Sequence, residues 1–296
     1  MKLALSLTAV LSLAALGLSA CGGSVNGASR TMIQNKGSDT LVNVAQAWAE
    51  EYGKLNQGVA VAVSGGGSGT GISAMINNQV DIANASRKMK EKEFELARKN
   101  NVEPVEHVVG FDALAVYVHA DNPITSISVA QLAQIYGEGG TTTHWSDIGI
   151  TIPGAEPGSS KDEIVRVSRQ NNSGTYVYFR NVVLGKEGKY KLGSLDLHGS
   201  KDVVDTVEKT PGAIGYSGLA YATEHVKLVP VSIDGKDPVG PSIETAVDGT
   251  YPIARPLLMY TRGTPTGAIK EYMDWILSET GQKIITEKGY APVKTF

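Results

Sequence analysis

Residues 64–72 read SGGGSGTGI, directly after the strand-like run VAVAV at Val59–Val63. Five glycines surround Ser68 and Thr70. Glycine gives up backbone entropy for freedom of φ and for close approach of the backbone to something else. Two further stretches share this character: GSDT at Gly37–Thr40 and NSGT at Asn172–Thr175. Each follows a strand signal and opens a helical pattern. Helix starts leave backbone N–H groups unpaired and carry about half a positive charge, which makes them anion sites. A single such loop would be read as an ordinary N-cap. Three of them in one chain point to a shared anion.

Outward from these loops, strand and helix signals alternate. The segment TLVNVAQAWAEEYGKL places Leu41, Val44, Ala45, Trp48 and Tyr52 at helical spacing. VDIANASR reads as a strand entering a loop, and KEKEFELARKNN as a charged, exposed helix. SVAQLAQIY is a helix with Ser128 as N-cap, and SGTYVYFRNVVLG a helix closed by Gly185. The stretch GAIKEYMDWILSETGQKIITEKG is expected to form one long C-terminal helix. This strand–loop–helix repetition predicts an α/β protein with helices on both faces of its sheets. The long apolar segments near 108–118 and 251–261 would carry the chain between two lobes.

The first twenty residues, MKLALSLTAVLSLAALGLSA, read as a secretory signal peptide: one early charge, an apolar run and small residues at the end. The chain continues into Cys21, its single cysteine. LSAC resembles a bacterial lipobox, which implies a lipid on Cys21, a tether over 21–26 and a protein exported to the cell envelope. Removal of the signal peptide leaves about 275 residues, enough for one large or two medium domains. It also takes the net charge from −3 to −4, since Lys2 leaves. Such a balance gives no basic field for nucleic acid.

Several chemistries fail on spacing. The 64–72 loop lacks the lysine of a phosphate-binding P-loop, and Thr70 stands where a nucleophile elbow needs glycine. The five histidines, His107, His119, His144, His198 and His225, show no paired metal spacing. No metal, cofactor or catalytic residue is expected. Two arginines adjoin the hydroxyl-rich loops: Arg169, four residues before Ser173, and Arg87, directly after Ser86. Guanidinium offers bidentate donors to tetrahedral oxyanions, so Arg87 and Arg169 are both expected to contact the bound anion.

Together, GSDT, SGGGSGTGI, VDIANASR, RQNNSGT and GAIGYSGLAYA resemble the phosphate-binding proteins of bacterial phosphate ABC transporters, within the periplasmic-binding-protein-like family. The resemblance runs over nearly the whole chain after Cys21. It implies a type II-like fold of two α/β lobes joined by two crossover strands, one dehydrated phosphate between the lobes, and no catalysis. Lobe I would comprise 27–117 and 251–296, and lobe II 118–250. The partners would be inorganic phosphate and the permease subunits of the transporter, with the protein itself a monomer.

Carried over residue by residue, the resemblance implies phosphate contacts from the first loop (Ser38, Asp39, Thr40), from Ser68, from Arg169, and from the helix start at Ser173, Gly174 and Thr175. Two positions depart from the family pattern. Asp39 stands where the family commonly has threonine, and Arg87 where it commonly has the aspartate that accepts the phosphate proton. An exchange of roles is expected, with Asp39 as acceptor and Arg87 offsetting the added charge. The plainer reading makes Asp39 the N-cap of the first helix. A receptor for another oxyanion such as sulfate, or an exported phosphate-ester hydrolase, are the alternatives.

Overall fold

The computed structural model describes residues 30–233 and 235–294. Cys21, the signal peptide and the tether lie outside them. In chain order the elements are β1 (Thr31–Gly37), α1 (Val42–Leu55), β2 (Val59–Ser64), α2 (Ser68–Ile76), β3 (Ile82–Ala85), α3 (Glu91–Lys99) and the long β4 (Pro104–His119). Then come β5 (Ile127–Ser128), α4 (Val129–Tyr136), β6 (Val165–Arg169), α5 (Gly174–Phe179), β7 (Leu195–Leu197), α6 (Ser200–Glu208) and β8 (Ala213–Gly218). The chain ends with β9 (Val226–Val229), β10 (Val231–Ser232), α7 (Ile243–Val247), β11 (Ala254–Arg262), α8 (Gly267–Ile276) and α9 (Glu279–Glu287).

The strands follow the path β2-β1-β3-β11-β4-β8-β6-β7, with β9 also on β4. β4 is the strand that both halves share. Its residues Pro104–Ala113 pair antiparallel with β11, and Leu114–Val118 pair with β8. The chain therefore adopts the two-lobe α/β arrangement with crossover strands expected from the sequence. Within lobe I, β1 pairs parallel with β2 and β3; within lobe II, β6 pairs parallel with β7 and β8. Parallel sheets need cover on both faces, which is why their strands read as near-continuous apolar runs.

Each lobe has a core on either side of its sheet. In lobe I, Trp48, Tyr52, Tyr272, Ile276 and Ile285 fill one face, and Ile72, Met75, Ala97, Leu258 and Tyr260 the other. The apolar stripe of α1 faces inward as its spacing requires, and the Trp48 indole N–H donates to the Gly281 carbonyl at 2.8 Å. In lobe II, Phe179 stacks on Tyr216 with centroids 3.8 Å apart, beside Tyr136 and Trp145. Val167, Val203, Val204 and Val207 fill the opposite face.

Two sequence expectations change. The C-terminal helix is two helices, because the chain turns at Ser278. The Ser278 hydroxyl and N–H both donate to the Trp275 carbonyl, and Ser278 takes extended backbone angles as it starts α9. Serine competes with a helix in just this way. The second change concerns α2: the sequence reads GISAMINNQV, Gly71–Val80, as a short helix, whereas the helix begins at Ser68, so the SGT of the glycine loop forms its first turn. The short strands β5, β7, β9 and β10 left no periodic signal in the sequence.

Candidate functional site

The parallel strands deliver their loops to one edge. β1, β2 and β3 end at Gly37, Ser64 and Ala85, and β6 ends at Arg169. Crevices outside the carboxyl ends of such strands are the usual place for a ligand. Here the loops from the two lobes meet. The Gly69 N–H of lobe I donates to the Asn172 carbonyl of lobe II at 2.9 Å, and Asn172 Nδ2 donates to the Gly66 carbonyl at 3.0 Å. Gly67 has φ of 89°, and a Cβ there would lie 2.8 Å from the Asn172 carbonyl oxygen. Glycine is required at that approach for both reasons.

The expected site residues come together around this meeting line. The Ser38 hydroxyl donates to Ser86 Oγ at 2.8 Å, and Ser68 Oγ accepts the Ser86 N–H at 3.0 Å. Thr40 Oγ1 lies 3.2 Å from Thr175 Oγ1 of the opposite lobe. Ser173 is the N-cap of α5, its oxygen accepting the N–H groups of Thr175 and Tyr176. With its lone pairs so used, the Ser173 hydroxyl proton is free to be donated. Gly174 packs against Ser68 and Ser86. Ser38, Thr40, Ser68, Ser173, Thr175 and Arg169 are all at most 2% exposed.

Asp39 is not the cap of the first helix. α1 starts after Leu41 and has no side-chain cap. Instead, Asp39 Oδ1 accepts the Gly66 N–H at 2.9 Å, and Oδ2 faces Arg169 Nη2 of the other lobe at 3.2 Å. Arg169 is held in turn by the His198 carbonyl and by Ser200 Oγ, at 2.6 and 2.9 Å. Burial pulls its guanidinium down from the ordinary arginine range, and the Asp39 carboxylate pulls it back up.

Arg87 is differently engaged from the sequence expectation. Its guanidinium forks onto Glu93, with bonds of 2.8 and 2.7 Å, and also donates to the Lys88 carbonyl. The charge that balances Asp39 directly is Arg169, while Arg87 balances Glu93. Burial alone would raise the Glu93 carboxyl. The bonds from Arg87 and from the Lys90 N–H, with the charges of both residues, outweigh burial and hold it below its usual range. A carboxyl lowered in the folded state stabilises the fold fully above its unfolded-state value, and this is lost as pH falls through the folded-state value. Glu93→Gln is therefore expected to lose less melting temperature than wild type between about pH 6 and about pH 3. An equal loss in both proteins would show that the pair is not linked to folding.

Sequence reasoning missed an arginine. Arg255 on β11 faces Asp112 on β4 in direct register, and both side chains are fully buried. Arg255 Nε and Nη2 both reach Asp112 Oδ2, at 3.0 and 2.7 Å. Burial pushes the Asp112 carboxyl up while Arg255 pulls it down. The signal was present: one charge inside each of the two longest apolar runs. Charged residues are almost never fully buried unless paired. Tyr221 and Tyr290, whose hydroxyls donate to the carbonyls of Asp39 and Thr40, were also missed.

Among the described residues, no group of three or more His, Cys, Asp or Glu side chains is placed to hold a metal ion. The arrangement offers hydroxyls, helix-start N–H groups and one cation–carboxylate pair to a small tetrahedral anion.

A profile described as the PBP superfamily domain matches residues 24–280. The phosphate-binding protein PstS of Pseudomonas aeruginosa is 33% identical over 273 residues, covering 88% of this chain and 83% of that protein. Protein SphX of Synechococcus elongatus is 34% identical over 279 residues, covering 90% and 79%. A solved chain from Clostridium perfringens, described as a putative phosphate ABC transporter substrate-binding protein with bound phosphate, superposes with a TM-score of 0.77 at 27% identity, covering 89% of this chain and all of that one. The profile match and the identity along most of both chains make this chain a member of the PBP superfamily, in the family of the PstS phosphate-binding proteins.

Proposed function

We propose that this chain binds inorganic phosphate between its lobes and delivers it to the permease of a membrane ABC transporter. The observation that carries the reading is the Asp39–Arg169 pair, set where the helix starts of α2 and α5 converge. The helix starts and arginine suit any oxyanion. The carboxylate suits only one that brings a proton. Phosphate near neutral pH still carries a proton on an oxygen; sulfate carries none. Asp39 keeps unused lone pairs beyond its bonds to Gly66 and Arg169, and can accept that proton's hydrogen bond. Facing sulfate, the same carboxylate meets only lone pairs. Arg87, a donor only, cannot make this distinction.

Calorimetric titration of stripped protein with phosphate and with sulfate tests the reading. Phosphate is expected to bind and sulfate to bind far more weakly; the reverse order would make the chain a receptor for another oxyanion. Asp39→Asn replaces an acceptor by a group that can donate to either ion. It is expected to lower the phosphate-over-sulfate preference by about tenfold or more, the worth of one hydrogen bond to a charged group. An unchanged preference would move the proton acceptor elsewhere.

We place a lipid on Cys21, holding the protein at the outer side of a membrane by its tether, and expect a monomer. The lobes are assigned as 27–117 with 251–296, and 118–250, with the hinge in β4 and β11. Mass spectrometry of the N-terminal peptide tests the lipid.

A further inference from the structure

Arg255 and Asp112 form a fully buried ion pair that the loops of the site do not account for. Replacing a buried ion pair by apolar residues of similar volume is often neutral for stability, so the fold alone gives this pair no purpose. Its position does. β4 and β11 are the strands that cross between the lobes, and Arg255 touches site residues from each side. Its Nη1 reaches the Ser86 carbonyl at 3.3 Å. Its Nη2 lies 3.3 Å from Thr40 Oγ1 of lobe I and 3.1 Å from Thr175 Oγ1 of lobe II. The guanidinium carbon also sits 5.6 Å from the centroid of the Tyr178 ring. Thr175 and Tyr178 lie three residues apart on α5 and so share a face of that helix. The first turn of α5 is seated on Arg255.

We propose that Arg255 is a positioning residue that turns Thr40 and Thr175 into hydrogen-bond donors toward the bound anion. The inference rests on the phosphate reading above. A hydroxyl has one proton and two lone pairs, and guanidinium has donors only. A threonine facing Arg255 must therefore receive through a lone pair, and its proton points elsewhere. Of two hydroxyls 3.2 Å apart, one can donate to the other, which leaves the second proton for the cleft. When an anion enters, both protons can turn to it while Arg255 continues to hold both oxygens. Asp112 fixes the guanidinium plane by taking Nε and Nη2 on one oxygen, which leaves the second Nη2 proton to be shared between the two threonines. Lysine cannot do this, because a single ammonium does not fork. The same contacts tie affinity to closure, since Thr40 and Thr175 come from different lobes.

The test is a set of calorimetric titrations with inorganic phosphate, each paired with a melting temperature. Arg255→Met with Asp112→Leu removes both charges and orphans neither. It is expected to weaken phosphate by roughly tenfold or more, the loss that follows when charge-assisted bonds to the site are removed. In a Thr40→Val, Thr175→Val background the same change should cost almost nothing further, because its effect runs through those hydroxyls. Arg255→Lys should keep the melting temperature near wild type and still lose affinity; this variant carries the test if the double charge removal does not fold. A wild-type dissociation constant in the folded variants, or losses that multiply fully across the two backgrounds, would reduce Arg255 to a structural ion pair. Wild-type protein that binds no phosphate would overturn the functional reading, and this inference with it.

Discussion

Arg169→Ala is expected to weaken phosphate by roughly 30-fold to several thousand-fold, the range for losing one partner of a buried, hydrogen-bonded charge pair. Two effects combine. Arg169 is 1% exposed at the end of β6, beside the helix start that Ser173 caps, so the anion loses a charge-assisted donor in a dry place. The substitution also strips Asp39 of its counter-charge at 3.2 Å, leaving an unpaired carboxylate beside the anion. The second effect makes a further result measurable. Arg169→Ala combined with Asp39→Asn should bind phosphate better than Arg169→Ala alone, because the orphaned charge is gone. Residues in one ion pair are expected to be non-additive in this way. Arg169→Lys should recover little, since one ammonium cannot hold the His198 carbonyl, Ser200 and Asp39 together. A near-wild-type dissociation constant for Arg169→Ala would remove this residue from the site.

The loops were legible in the sequence because their chemistry is local. Glycine at 65–67 and 69, serine at 68 and 173, and threonine at 175 report backbone angles and helix starts that neighbouring residues impose. Hence the glycine loop could be read as a helix N-terminus before any tertiary contact was known, and α2 does begin at Ser68. The two lobes were legible for a related reason. Strands buried on both faces read as plain apolar runs, and the two longest of these proved to be the antiparallel neighbours β4 and β11, of which β4 also pairs with β8 of the other lobe.

What the sequence did not display is pairing over distance. Asp39 and Arg169 are 130 positions apart, and Asp112 and Arg255 are 143 apart. Nothing local distinguishes an aspartate that caps a helix from one that reaches across a cleft. The assignment of Arg87 as counter-charge to Asp39 followed from pairing two unusual residues in sequence. In three dimensions each found a nearer partner, and the partner of Arg87 was Glu93, in the first turn of the exposed-looking helix α3. Net charge around the site is thereby balanced pair by pair: Asp39 with Arg169, Glu93 with Arg87, Asp112 with Arg255. A site so balanced holds its anion by oriented hydrogen bonds and helix starts more than by excess positive charge. Its affinity should then depend on geometry, and a small steric change ought to matter as much as a lost charge.

Gly174→Ala examines that dependence directly. Gly174 is the first residue of α5, where alanine is a better helix former than glycine by about 1 kcal/mol. Lobe II by itself should therefore fold at least as well as before. The obstacle lies across the cleft. A Cβ at this position would stand 2.3 Å from Ser68 Oγ and 2.5 Å from Ser86 Oγ, both on lobe I. Both hydroxyls are buried and engaged with each other's loops, so neither can simply swing away. Overpacking of this kind costs about 1–3 kcal/mol, here levied only on the state in which the lobes meet. Since an anion favours the closed form through contacts that exist only there, affinity should fall by about 5- to 150-fold. Melting temperature without ligand should stay at or above wild type. Small-angle scattering separates the cause: wild-type protein should become more compact on adding phosphate, and the variant should not. If Gly174→Ala binds phosphate as wild type does, the lobes do not meet along this line when the anion is bound, and the contacts from Ser68 and Ser86 to α5 are no part of recognition.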